Sequence, residues 1–173
     1  YKEPHLAHQL LSKITSSTIF YLKEKIASGV NVIKLFDSWS GLLNSEIYNE
    51  FAWPYAERIL TAIDEVPTIF FPKGGWFSYD KFGSSDVFDC LGVGWSTDPK
   101  FARQKMGSNR ILQGNLDPCR LYDSKQNIEV ATSKMLDSFG RNHIANLGHG
   151  VYPDTSVENV KCFIDSVKSY RYK

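Results

Sequence analysis

Three short segments carry the polar groups that could do chemistry. The first is Asn146-Leu147-Gly148-His149-Gly150-Val151-Tyr152-Pro153. It follows the apolar pair Ile144-Ala145 and precedes Thr155-Ser156-Val157-Glu158, whose Ser/Thr-x-x-Glu form marks a helix start. His149 therefore stands where a strand ends, between two glycines that let the backbone approach whatever lies above it. In a parallel strand–helix protein, ligands bind at such strand ends. Spacing alone leaves a plainer role open, with Gly148 and Gly150 serving the turn and His149 packed and hydrogen-bonded. The second segment, Val32-Ile33-Lys34-Leu35-Phe36-Asp37-Ser38-Trp39-Ser40-Gly41, is another apolar strand running into polar residues and a glycine. There Ser38 offers a hydroxyl for a ligand or for a turn. The third, Gly114-Asn115-Leu116-Asp117-Pro118, closes a further strand, and its Asn115 and Asp117 read most simply as turn or cap residues.

These strand ends need elements to hold them. Leu6, Leu10, Leu11, Ile14, Ile19, Leu22 and Ile26 recur at helical spacing over residues 5–28, and Gly29 stops the run. A strand covers 30–37, and a helix runs from Ser45 to residue 64, which Pro54 should kink or divide. Thr68-Ile69-Phe70-Phe71 is a strand ended by Pro72-Lys73-Gly74-Gly75; a short helix covers 78–88 and a strand 90–95. Asp98-Pro99 caps and opens a helix to 106, and a strand covers 111–115. A helix starting at 120 or 125 ends at Gly140, followed by a strand at 143–147 and a helix at 155–170. Five strands alternating with helices imply an α/β protein with parallel strands and right-handed crossovers. An open doubly wound sheet and part of an eight-stranded barrel both satisfy that pattern. No G-x-G-x-x-G follows the first strand, which weighs against a dinucleotide site. Period-two geometry puts Lys34, Phe36 and Ser38 on one strand face and Leu35 and Asp37 on the other. A lysine on an interior face calls for a carboxylate partner.

With 173 residues the chain is expected to form one domain, and 42% apolar and 14% aromatic content suits a globular α/β protein. A net charge of +1 without blocks of like charge gives no sign of a nucleic-acid or membrane-surface partner. The apolar runs fall far short of the ~20 residues of a membrane span. Tyr1 leads straight into a helical pattern, so no signal peptide is expected. Cys90, Cys119 and Cys162 are odd in number and scattered, which favours free thiols in a reducing, cytoplasmic setting. His5 and His8 have helical i, i+3 spacing, but nothing completes a metal site around them. Trp39, Trp53, Trp76 and Trp95 read as core or interface aromatics.

Taken together, Phe36-Asp37-Ser38-Trp39, Gly114-Asn115-Leu116-Asp117-Pro118 and Asn146-Leu147-Gly148-His149-Gly150, in this order and at these separations, resemble the uroporphyrinogen decarboxylase family. Tyr1-Lys2-Glu3-Pro4-His5 and Pro54-Tyr55 extend the likeness along nearly the whole chain. It covers only the C-terminal half of that family. The resemblance implies the C-terminal portion of a (β/α)8 barrel, with residues 1–173 forming part of a single barrel domain. It also implies cofactor-free decarboxylation of the four acetate side chains of uroporphyrinogen to give coproporphyrinogen, in haem biosynthesis. The intact enzyme is then a cytoplasmic homodimer whose small-molecule partner is the tetrapyrrole. Ser38 and His149 carry over as substrate-binding positions, and Phe36 as an apolar wall. Ser38 and His149 are expected at the same end of the sheet, facing one cavity, with Leu35 packed under helices.

The same likeness places the family's central carboxylate, its substrate arginines and its tyrosine in the other half. Lys73 and Arg120 do not replace them, so no catalytic residue is assigned here. A zinc- and thiol-dependent methyltransferase of the same superfamily would need His and Cys ligands at strand ends. Phe71-Pro72-Lys73 and Gly148-His149-Gly150 stand there instead, with no thiol. A barrel piece that only binds a partner or a tetrapyrrole is the third reading. Five strands cannot close an eight-stranded barrel, so Phe70, Trp95 and Leu112 are expected near an open apolar face. The chain alone should then be inactive and prone to associate.

Overall fold

The computed structural model describes residues 2–172, so Tyr1 of the opening motif lies outside the described residues. The chain divides between Cys90 and Leu91 into two compact units.

The first unit opens with α1 (Pro4–Ala27), whose proline sits in the first turn, where no intrahelical N–H is lost. The helix stretch around Pro54 is divided: α2 (Ser45–Phe51) and α3 (Trp53–Thr61) are separated at Ala52. Asn44 accepts from the Ile47 amide at 2.9 Å and so starts α2. The packed face of α1 is half polar. His8 stacks on Phe51 with 4.6 Å between ring centres and reaches the Tyr55 hydroxyl at 2.7 Å. Arg58 donates to the hydroxyls of Ser12 and Ser16 at 3.1 and 3.0 Å. Leu6, Leu10 and Ile14, part of the apolar stripe that marked the helix in the sequence, lie exposed.

β1 (Ile33–Asp37) pairs in parallel with β2 (Thr68–Pro72), with Phe36 opposite Phe71. One side of β2 sends Phe70 into a cluster with Trp53, Phe82 and Phe88, all buried. The helix expected over 78–88 is only α4 (Tyr79–Gly83), entered through a tight turn at Trp76–Ser78. Ser84 ends it: its hydroxyl bonds back to the carbonyls of Asp80 and Lys81 at 3.3 and 3.0 Å.

β3 (Cys90–Gly92) is shorter than the 90–95 expected from sequence, because the Gly94 carbonyl is taken by a side chain and leaves the strand ladder. The second unit continues with α5 (Pro99–Met106), capped by Asp98 on the Phe101 amide at 2.9 Å. β4 (Ile111–Leu116) pairs in parallel with β5 (His143–Leu147). α6 (Lys125–Phe139) starts at a Ser124 cap, and α7 (Val157–Ser169) closes the unit. The α7 cap is Ser156 rather than Thr155, so the Ser/Thr-x-x-Glu frame is one residue off; Ser156 also donates to Glu158 at 2.7 Å. At the N-terminal ends of β4 and β5, Arg103 donates to the carbonyls of Phe139, Gly107, Arg110 and Asn142.

Of the three residues expected near an open apolar face, Phe70 and Leu112 are fully buried, whereas Trp95 is partly exposed. Exposed apolar side chains include Leu6, Leu10, Ile14 and Phe20 on α1 and Phe36 on β1. Of the four tryptophans read as core or interface aromatics, Trp53 is core, while Trp39, Trp76 and Trp95 are 71%, 55% and 41% exposed.

His143 in β5 supplies a pH signature. Its Nε2 donates to the Gly114 carbonyl at 2.5 Å, its ring stacks on Phe139 at 4.3 Å, and its Nδ1 is buried without a partner among the described residues. Burial lowers its pKa to about 4, helped by the Arg103 charge and opposed by the Gly114 carbonyl. The neutral form is thus favoured in the fold, while the unfolded chain takes up a proton near pH 6.5. The resulting stability is complete above pH 6.5 and is lost as pH falls from there towards 4. Between pH 7 and 5 His143 should cost the fold about 2 kcal/mol. Denaturant unfolding at the two pH values checks this: His143→Gln should flatten the pH slope, and an unchanged slope would contradict the assignment.

Candidate functional site

Parallel strands leave their last carbonyls without ladder partners, and the following loops must supply N–H groups. In the first unit the Asp37 carbonyl accepts from the Lys73 amide at 3.0 Å and from the Ser40 hydroxyl at 3.1 Å. The Lys73 carbonyl in turn accepts from the Gly41 amide at 3.0 Å and the Ser40 hydroxyl at 2.8 Å. This stitching brings the two loops so close that a Cβ on Gly41 would lie 3.0 Å from the Gly74 Cα. Only glycines fit that approach.

The stitched loops fix what surrounds Ser38. Ser38 is exposed just past the end of β1, and its hydroxyl makes no hydrogen bond among the described residues. Phe36 is 59% exposed and meets Phe71 edge-on at 5.8 Å. Lys34 shares this face, with its ammonium 4.7 and 4.9 Å from the centres of the Phe36 and Phe71 rings. Burial holds Lys34 below the usual lysine range, while the nearby Cys90 favours the charged form. The rings thus give this lysine a cation–π setting, an arrangement absent from the sequence reading. Asp37 points the other way, towards the buried phenol of Tyr48. Burial raises the Asp37 carboxyl above its ordinary value, and burial together with that carboxyl pushes the Tyr48 phenol far up.

In the second unit the Leu116 carbonyl at the end of β4 accepts from the Gly148 amide at 2.8 Å. Gly148 passes so close to Trp95 that a Cβ would sit 2.2 Å from the Trp95 nitrogen. His149 follows, exposed, its ring edge-on to Trp95 at 5.4 Å. His149 Nδ1 lies 3.3 Å from the Gly150 carbonyl; the tautomer that donates there leaves Nε2 free to accept from a ligand. Asn115, buried, donates to the carbonyls of Gly94 and Thr97 at 3.0 and 2.7 Å and so holds the loop that presents Trp95. Asp117 is a cap, accepting from the Cys119 amide at 2.9 Å. The sequence thus read Asp117 correctly, but gave no sign of Asn115's bridging role or of Trp95 beside His149. A buried amide facing two loop carbonyls leaves no trace in spacing.

The fold and the strand ends define an α/β protein built from parallel strand–helix units, with exposed polar and aromatic groups beyond the strands' C-terminal ends. Its sequence matches the model of the uroporphyrinogen decarboxylase family over residues 1–170. A uroporphyrinogen decarboxylase of Christiangramia forsetii is 46% identical over 99% of this chain and 50% of its own length; one of Flavobacterium johnsoniae is 44% identical over 98% and 50%. Among solved structures, a methyltransferase from Methanosarcina mazei superposes with a TM-score of 0.75 at 20% identity, over 89% of this chain and 46% of that one, a likeness of fold alone. The chain belongs to the uroporphyrinogen decarboxylase family. It spans about half the length of the curated relatives it matches.

Because the Gly148 contact is with backbone, a side chain there cannot be accommodated by a rotamer change. Gly148→Ala should cost roughly 1–3 kcal/mol of stability and part Trp95 from His149. Denaturant unfolding with tryptophan emission as the signal checks both; a stable variant with unchanged emission would show that the approach is not tight.

Proposed function

We propose that this chain forms the C-terminal half of a uroporphyrinogen decarboxylase barrel and contributes part of its substrate cleft. The observation that carries the reading is the family match over residues 1–170, together with relatives that bear that name at 44–46% identity. Ser38 and His149 are substrate-binding residues in this reading, and Phe36 is an apolar wall. The exposure of Ser38 and His149 beyond strand ends, and of Phe36 on β1, supports these roles. The intact enzyme is a cytoplasmic homodimer; the free thiols of Cys90, Cys119 and Cys162 fit a reducing compartment. Among the described residues, no helix is long and apolar enough to cross a membrane.

The chemistry asks little of a cofactor. Protonating the pyrrole carbon beside the acetate-bearing carbon makes the ring an electron acceptor. The bond from the methylene to the carboxylate then breaks, carbon dioxide leaves, and the electron pair enters the ring. A proton on the exocyclic methylene and loss of the first proton leave a methyl group. Each cycle thus consumes one proton and releases one carbon dioxide. The protein must place a polyanionic substrate and stabilise positive charge on its ring. A hydroxyl from Ser38 and an imidazole from His149 serve the placing. The proton donor and the group that holds the pyrrole N–H atoms belong to the other half of the family's length.

In the intact enzyme, this chain joined to that other half, His149→Asn should lower kcat/KM for uroporphyrinogen by roughly ten- to a hundredfold, the loss of one charge-assisted hydrogen bond. The fold should persist, since His149 is exposed. Steady-state decarboxylation assays and thermal unfolding read the two effects; unchanged kinetics, or a collapse of Tm, would remove His149 from the site. An intact wild-type enzyme that leaves uroporphyrinogen untouched would overturn the whole reading.

A further inference from the structure

We propose that Lys73, carried on the Trp39 ring, is a specificity-determining residue that holds a carboxylate of the substrate. The inference rests on the decarboxylase reading and adds to it a contact from this half.

The Lys73 side chain is not what holds its loop in place. Its main chain does the structural work at the end of β2, through the Asp37 carbonyl, the Gly41 amide and the Ser40 hydroxyl. Its ammonium lies 5.6 Å from the centre of the Trp39 ring, and Trp39 is 71% exposed. A cation–π contact at so open a site stabilises a fold only slightly. Among the described residues, no carboxylate is within ion-pair distance of the Lys73 ammonium. The neighbouring acid at the end of β1, Asp37, is turned towards Tyr48.

What remains is a positively charged group steered by a flat ring, at the strand end that carries Ser38. Indole and aliphatic stem together narrow the directions the ammonium can take, so less freedom is lost when an anion binds. A lysine is a compact point charge with three donors, suited to a single carboxylate oxygen pair approached from several angles. The substrate brings acetate and propionate carboxylates on flat pyrrole rings, and the open face of Trp39 is complementary to such a ring. Lys73 is a binding group here; it moves no proton.

The test uses the intact enzyme and uroporphyrinogen as substrate. Lys73→Met keeps the stem on Trp39 and removes the charge. KM should rise roughly tenfold with kcat and Tm nearly unchanged, and Lys73→Arg should restore most of the affinity. Added salt should raise KM in the wild type more than in Lys73→Met, because only the wild type has the ion pair to screen. A purely structural role would instead lower Tm and kcat and leave the salt response alone. Should Lys73→Met fail to fold, Lys73→Gln is read in the same way. An active wild type with unchanged KM in the neutral variant overturns the carboxylate contact alone. An inactive wild type overturns the decarboxylase reading and the contact with it.

Discussion

A parallel strand that stops leaves a carbonyl pointing at nothing, and in this protein the arrangement of the candidate groups follows from how those carbonyls are satisfied. At β1 the Asp37 carbonyl draws in the Lys73 amide and the Ser40 hydroxyl; at β4 the Leu116 carbonyl draws in the Gly148 amide. Each bond pulls the loop after one strand across the end of its neighbour. The loops then approach at van der Waals limits, which confines the crossing points to Gly41, Gly74 and Gly148. At these crossings Ser40 turns inward onto the Asp37 and Lys73 carbonyls, while Trp39 before it and His149 after Gly148 face outwards. Ser38, Trp39 and His149 are thus exposed beside crossing points, Ser40 and Gly148, that are buried.

Behind the loops the two units solve burial differently. The first relies on rings packed on rings around Phe70, Trp53, Phe82 and Phe88. The second is aliphatic, with Leu112, Leu121, Ile128 and Leu136 buried, and it spends its polar groups on wiring. Arg103 collects four carbonyls at one end of its strands, and Asn115 collects two at the other. A single side chain that satisfies several orphan acceptors replaces several separate turns, and its loss would leave each of them unpaired.

Much of the scaffold could be read from the chain because its punctuation is local. Pro54 divides the helix where the missing N–H requires it, and Asp98-Pro99 and Gly140 mark ends that the backbone adopts. The site residues were legible as strand-end positions for the same reason. Apart from local shifts at Ser84 and Ser156, what the chain did not show involves tertiary partners. The α1 stripe marked the helix but not its partners: Leu6, Leu10 and Ile14 lie exposed, and the helix packs through Thr15 and polar contacts to Tyr55 and Arg58. Trp39 and Trp95 were legible only as core or interface rings; their surface positions, with a lysine beside one and a histidine beside the other, depend on residues distant in sequence. Phe70 and Leu112 lie under helices, where alternation alone could not place them.

The parallel pairings also bear on how the chain reaches its fold. Ile33 meets Thr68 and Leu112 meets His143, so each pair is joined by a crossover of only some thirty-odd residues. Closing a loop of that length costs little more entropy than closing one half as long. Most of the helices inside those crossovers carry their own start signals, at Asn44 in the first and Ser124 in the second. Nucleation can therefore proceed inside each crossover before its strands meet, and the parallel pairing, which joins distant residues, is the slower step. Pairing of β1 with β2 and of β4 with β5 need not wait on one another.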